Sequence, residues 1–148
     1  MYAEVKNHEK NVKAEDCKSG SVIEYDRLSL ESEEIPFTQT ANFCKFPKGY
    51  AMYSAVFSGY EWGSSCEIYL KNDRIFFAFV SNGAEACLEE KRIYYNIEGK
   101  IIKILIKSND CIGNEEPTIT SELKKEEDRK AMMGEIDSNL SKIKKIIK

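Results

Sequence analysis

The sequence holds one histidine, His8, in 148 residues, and that scarcity restricts its chemistry. A Ser-His-Asp or Cys-His pair needs an imidazole beside its nucleophile, whereas His8 sits in a polar stretch with no apolar periodicity around it. The chain also lacks G-x-G-x-x-G, a P-loop, H-E-x-x-H and an EF-hand loop, the sequence signatures of phosphate, zinc and calcium sites. Paired carboxylates such as Glu89-Glu90 or Glu115-Glu116 are adjacent, so in strands they would point to opposite sides instead of converging. No catalytic constellation, cofactor or metal site is expected.

Long apolar runs are missing too. None approaches the roughly 18–20 residues that cross a bilayer, and the opening MYAEVKNHEKNVKAED has no apolar h-region of the kind a signal peptide carries. Either the protein is cytoplasmic or an export signal has been removed; the sequence leaves both open. A net charge of −3 supplies no global basic field to attract nucleic acid or an anionic membrane. The charge is unevenly placed. Residues 1–34 hold nine acids against five bases, while the closing KIKKIIK carries four lysines and no acid.

What is present is β-rich. With 42% hydrophobic residues, the chain can build a core of its own. Residues 1–20 read as a polar arm or tether, and 21–148 as one globular domain, β-rich over 21–112. A first short strand is expected at 21–30 and a loop at ESEEIPFTQT, where acids and Pro36 break any pattern. Strands are expected at 51–58, 66–71, 74–81, 90–97 and 100–108, from their Ile, Phe, Tyr and Val content. GYEWGSS and SNGAEA are read as connecting loops. After Pro117 the composition turns helical, with Ser121 as N-cap and a helix over about 121–147. Met133, Ile136, Leu140, Ile143 and Ile147 make its apolar stripe. The expected class is α+β, an antiparallel β-meander of about 4–6 strands packed by one long C-terminal helix.

Two-residue turns at Asn72-Asp73 and Glu98-Gly99 would set Leu70 opposite Ile75, Ile68 opposite Phe77, Tyr95 opposite Ile102 and Ile93 opposite Ile104. Ile68, Leu70, Ile75, Phe77, Phe79, Ile93, Tyr95, Ile102, Ile104 and Ile106 then share one face for the helix to cover. The opposite face mixes aromatics with bases. It reads either as a sheet exterior, solvated or partly covered by the N-terminal segment, or as a docking surface with Tyr69, Phe76, Arg92 and Tyr94 as anchors. Sheet aromatics beside bases also suit single-stranded nucleic acid, but the acidic balance and the lack of an RNP-type motif weigh against it. Tyr60 and Trp62 in GYEWGSS are a second candidate, as a ligand lip or as caps on the core.

Five cysteines leave at least one unpaired within a monomer. Meander connections alternate between the two ends of the sheet, which brings Cys66, Cys87 and Cys111 toward one end. Extending the second hairpin's register puts Cys87 opposite Asp110, so Cys87 and Cys111 are the leading disulfide pair. Cys66 is left with Cys44 or no partner, Cys17 is a possible mate for Cys44, and five free thiols remain an open reading. No C-x-x-C and no neighbouring histidine point to metal.

Arg92, Tyr94, Tyr95, Gly99, Lys100 and Ile102 spell R-x-Y-Y-x-x-x-G-K-x-I behind an acidic stretch. Over residues 83–105 this resembles a hairpin pattern of small exported bacterial proteins. The resemblance implies export, a lipoprotein-like origin with the polar N-terminus as membrane tether, and no particular activity. The expectation is therefore a non-enzymatic exported binding domain, periplasmic or on the cell surface, whose partner is another protein or an envelope component. The alternative is a cytoplasmic interaction partner, such as an immunity or antitoxin-like inhibitor.

Overall fold

Asn72 and Asp73 adopt φ of 51° and 65°, the left-handed pair that closes a tight hairpin whose twist matches its strands. Two-residue turns at Tyr60-Glu61 and Glu85-Ala86 close two further hairpins. The computed structural model describes residues 3, 6, 7, 16–27, 34–109, 111, 117 and 119–148. Strands β1 (Cys17–Arg27), β2 (Glu34–Lys45), β3 (Tyr50–Gly59), β4 (Trp62–Lys71), β5 (Arg74–Ala84), β6 (Cys87–Tyr95), β7 (Ile101–Ser108) and β8 (Ile119–Glu122) precede one long helix, α1 (Glu126–Ile147). All eight strands form a single antiparallel sheet in chain order. The class is α+β as expected, but with eight strands among the described residues where 4–6 were expected.

The extra strands come from stretches whose composition hides them. In β2, Ile35, Phe37, Gln39 and Ala41 turn inward while Pro36, Thr38 and Thr40 stay exposed, a period-2 pattern masked by the proline and the acids. Pro36 is tolerated because this part of β2 pairs only with β1; the β2–β3 ladder begins at Thr40. β1 starts at Cys17, so it takes in residues that composition assigns to the arm; most of 1–20 lies outside the described residues. GYEWGSS is not a loop. Its turn is Tyr60-Glu61, with Glu61 at φ 61°, and β4 begins at Trp62. SNGAEA likewise runs on as strand to Ala84 and turns at Glu85-Ala86.

Two β-bulges decide which side chains face the helix. Tyr69 pairs with Phe77 but Leu70 with Ile75, so Phe76 is an extra residue, and every position beyond it shifts by one. Ile68 consequently opposes Ala78, and Cys66 opposes Val80. The Asn96–Lys100 loop is wider than a two-residue turn, and an extra residue at Ile102 offsets it, so Ile93 does oppose Ile104. Phe77, Phe79 and Ile102 therefore leave the expected core face, and Ala78, Val80 and Ile101 replace them. The exchange suits the packing, because small side chains let a helix approach a sheet closely. Ala41 and Ala78 are wholly buried there with Ile68, Ile93, Ile104, Ile136 and Ile143.

Helix α1 starts later than expected. Ser121 lies in β8, paired with Ile106, and the N-cap is Lys125. Glu126, Glu127 and Asp128 crowd the first turn and Lys144 and Lys145 the last, which complements the helix dipole. Its inward side is Met132, Ile136, Leu140, Ile143 and Ile147, with Met133 exposed where the expected stripe placed it inward. The helix packs against β1, β2, β3 and β7, so it spans the sheet. At its C-terminal end the backbone of Ile146 lies so near Gly20 that a Cβ there would sit 2.1 Å from the Ile146 carbonyl oxygen. Gly134, by contrast, is exposed, helical and faces open space. Gly134→Ala is expected to raise stability by about 0.5–1 kcal/mol through backbone entropy; a urea midpoint that stays or falls would contradict a straight helix open to solvent at this point.

Candidate functional site

Away from the helix the sheet carries a second buried cluster: Cys44, Phe46, Tyr50, Met52, Tyr69 and Phe77, with Phe76, Phe79 and Tyr94 packed on it. The bulge at Phe76 builds this cluster by turning consecutive phenylalanines to the same side. Tyr69 meets Phe77 at 5.7 Å between centroids and Phe76 at 6.3 Å, and Phe77 meets Tyr94 at 5.2 Å. These tilted contacts suit the ring quadrupoles. The Cys17–Cys44 disulfide fastens β1 to β2 at directly opposed positions and packs at the edge of the cluster.

Over these rings lies a cleft of about 610 Å3, lined by Lys6, Glu67, Phe76, Phe77, Phe79, Arg92, Tyr94, Tyr95 and Ile102. The Arg92 guanidinium stacks 5.1 Å above Phe79 and pairs with Glu90 at 3.3 Å. Lys6 reaches Glu67 at 3.6 Å and lies 5.6 Å over Tyr69, whose hydroxyl donates to the same carboxylate. A groove of about 530 Å3 continues past Phe76 and Tyr95 to Lys71 and Arg74. Lys71 stands 3.9 Å over the Tyr50 ring, and Arg74 donates to the Ile97 carbonyl at 2.9 Å. Lys6, Lys71, Arg74 and Arg92 line the two hollows with one carboxylate, Glu67, while Glu90, which pairs with Arg92, lies outside the lining.

Of the anchors expected from the sequence, Phe76, Arg92 and Tyr94 line this cleft together. Tyr69 is wholly buried beneath it and acts as support for the phenylalanines. Tyr60 and Trp62 lie elsewhere, at the β3–β4 turn, each 42% exposed. Phe77 and Phe79 belong to the cleft although strict alternation puts them in the helix core. The one signal for them is the doublet Phe76-Phe77, which no period-2 strand can divide cleanly between a core and a solvent face.

The second disulfide joins Cys87 to Cys111, the pair that the hairpin register favours, at the end of the sheet that carries the 60–61 and 85–86 turns. Cys66 is the free thiol, buried against the helix with the Asn139 amide 3.8 Å from its sulfur. Burial pushes its pKa from 9.0 up to about 12, with Glu135 and Glu67 adding to the rise. Tyr95 and Tyr53 are also raised, chiefly by burial. A raised folded pKa means that the unfolded thiol ionises first. Stability from Cys66 is thus intact below about pH 9 and is lost as pH climbs toward about 12. Cys66→Ala is expected to flatten that part of the alkaline stability curve, leaving the tyrosine contribution; an unchanged slope would refute the buried neutral thiol. Among the described residues no three of His, Cys, Asp and Glu gather as a metal-holding group, and no helix is long and apolar enough to cross a membrane.

Fold and cleft together define a disulfide-braced α+β domain, with a helix on one side of its sheet and an aromatic, cation-bordered hollow on the other. No family model, curated protein or solved structure matches the chain.

Proposed function

We propose that this protein is a non-enzymatic binding domain, exported to an oxidising compartment of a bacterial cell envelope, that docks a partner protein through the aromatic cleft. The observation that carries the reading is the cleft itself. Phenylalanine and tyrosine rings rest on a rigid buried layer and are bordered by an excess of cations, in a chain whose net charge is −3. Half-buried aromatic and arginine side chains over packed supports, as Phe76, Phe79, Arg92 and Tyr94 are here, are the usual anchors of protein interfaces. The cation excess selects a partner segment with apolar side chains flanked by acids. Two disulfides favour export over the cytoplasmic inhibitor reading, because thiols in a reducing cytosol seldom stay bridged. The hairpin resemblance points the same way.

The test is the double variant Arg92→Ala/Tyr94→Ala, compared with the native chain for partner retention from envelope extracts. Capture is expected to fall at least roughly tenfold and to weaken with added salt for the native protein. Undiminished capture by the double variant would reduce this face to a sheet exterior.

A further inference from the structure

A second hollow, of about 530 Å3, opens on the helix side of the sheet at the end that α1 leaves uncovered. Pairing fixes which side chains reach it. Trp62 opposes Ala84, Asn82 opposes both Ser64 and Glu89, and Glu89 opposes Ser108, all in register with the helix-facing Cys66, Val80 and Ile106.

Trp62 is the unusual member. Its indole Nε1–H donates to Asp26 Oδ2 at 3.1 Å, and the same oxygen accepts the Tyr60 backbone N–H at 2.9 Å. Its ring lies against Gly59 so closely that a Cβ there would fall 2.0 Å from the indole nitrogen. The ring is therefore fixed in orientation, and its one polar atom is already used within the protein. The residue is 42% exposed, and its indole can offer a ligand apolar π surface but no further hydrogen-bonding atom.

The facing wall is equally fixed. Asn109, buried, accepts the Leu88 backbone N–H at 3.0 Å and donates to the Ala86 carbonyl at 2.5 Å, beside the Cys87–Cys111 bridge. Between the walls stand the Asn82 amide, the Ser108 hydroxyl and the Glu89 carboxylate, which Lys91 holds at 3.3 Å. Among the described residues no lysine or arginine lines the hollow, and its single charge is negative.

We propose that this hollow is a saccharide-binding site. A pyranose ring has an apolar C–H face to stack on the immobilised indole and hydroxyls that both donate and accept. Those needs match one amide, one hydroxyl and one carboxylate. Phosphates and other anions find no cation in the lining to receive them: the one charged lining group is Glu89, and its partner Lys91 lies outside the lining. The site lies across the sheet from the aromatic cleft and does not depend on it.

Trp62 is the only tryptophan, so intrinsic fluorescence reports the site directly. The full chain is titrated with glucose, galactose, N-acetylglucosamine and their β-1,4-linked disaccharides up to about 20 mM, a span that detects millimolar binding. At least one sugar is expected to give a saturable emission change. Asn82→Ala and Glu89→Gln, each checked for native circular dichroism, are expected to weaken it roughly tenfold or more. Arg92→Ala/Tyr94→Ala leaves it unchanged. No saturable response to any sugar, or a response that survives both Asn82→Ala and Glu89→Gln, overturns the proposal.

Discussion

Ile136→Ala is expected to lower unfolding free energy by about 3 kcal/mol, within the range of roughly 2–5 typical of large-to-small core changes, and Ile136→Asp to leave no folded protein. Ile136 is wholly buried midway along α1, in one cluster with Ile68, Ile93 and Ile104 from three strands. Truncating it opens a cavity between helix and sheet that neither layer can close without shifting. An aspartate would bury a charge in an apolar cluster that holds no cation to receive it. The neighbouring methionines calibrate the claim. Met132 is 4% exposed and Met133 37%, so Met132→Ala should cost about 2 kcal/mol or more, and Met133→Ala under about 0.5 kcal/mol. Urea melts of the three alanine variants decide it. Equal costs at 132 and 133 would mean that the helix is rotated about its axis, with both methionines meeting the sheet alike.

Loss of the disulfides should cost as much again. Cys17–Cys44 and Cys87–Cys111 span 27 and 24 residues, so by chain entropy each stabilises by about 3.5 kcal/mol and the two are nearly equal. Together that approaches the whole net stability of a typical domain, about 5–15 kcal/mol. Either double-alanine variant is expected to melt roughly 7–14 °C below the native chain, and the fully reduced protein to be largely unfolded in mild denaturant. Cys17–Cys44 has a ladder around it that persists after reduction, whereas Cys87–Cys111 ties Cys111, beyond the end of β7, back to the start of β6. If reduction moved the melt by no more than about 2 °C, the bridges would be ornamental and the export reading would lose its main support.

The sequence made the sheet's centre readable and its edges hard to see. Strands β4 to β7 announce themselves through Ile, Phe and Tyr between turn residues, and α1 through its apolar stripe. β2 escapes notice because Pro36 and its acids look like a loop, and only the missing third strand beside them makes the proline harmless. β8, as Ile119–Glu122, is too short and polar to register. The bulges are the deeper obstacle. Counting by twos from Asn72-Asp73 is sound until Phe76, and nothing local says that the chain inserts a residue there. That single insertion moves Phe77 and Phe79 from the expected core into the cleft. Beyond the second bulge the wider Asn96–Lys100 loop cancels the extra residue, and the Ile93–Ile104 pairing comes out as expected. Cys87 and Cys111 can be paired from sequence because they lie past that cancellation. Phe76, Arg92 and Tyr94 are legible as aromatic and basic residues on a sheet face, but the hollow that they share depends on the bulge and on Lys6.

The claim that this domain works outside a reducing cytosol is tested most directly by counting thiols in protein taken from its own cell. Intact mass after alkylation in denaturant should show one label without reduction, on Cys66, and five after reduction, one for each cysteine. Five labels before reduction would contradict that claim, leaving both bridges unformed in the cell and the cytoplasmic partner reading in its place.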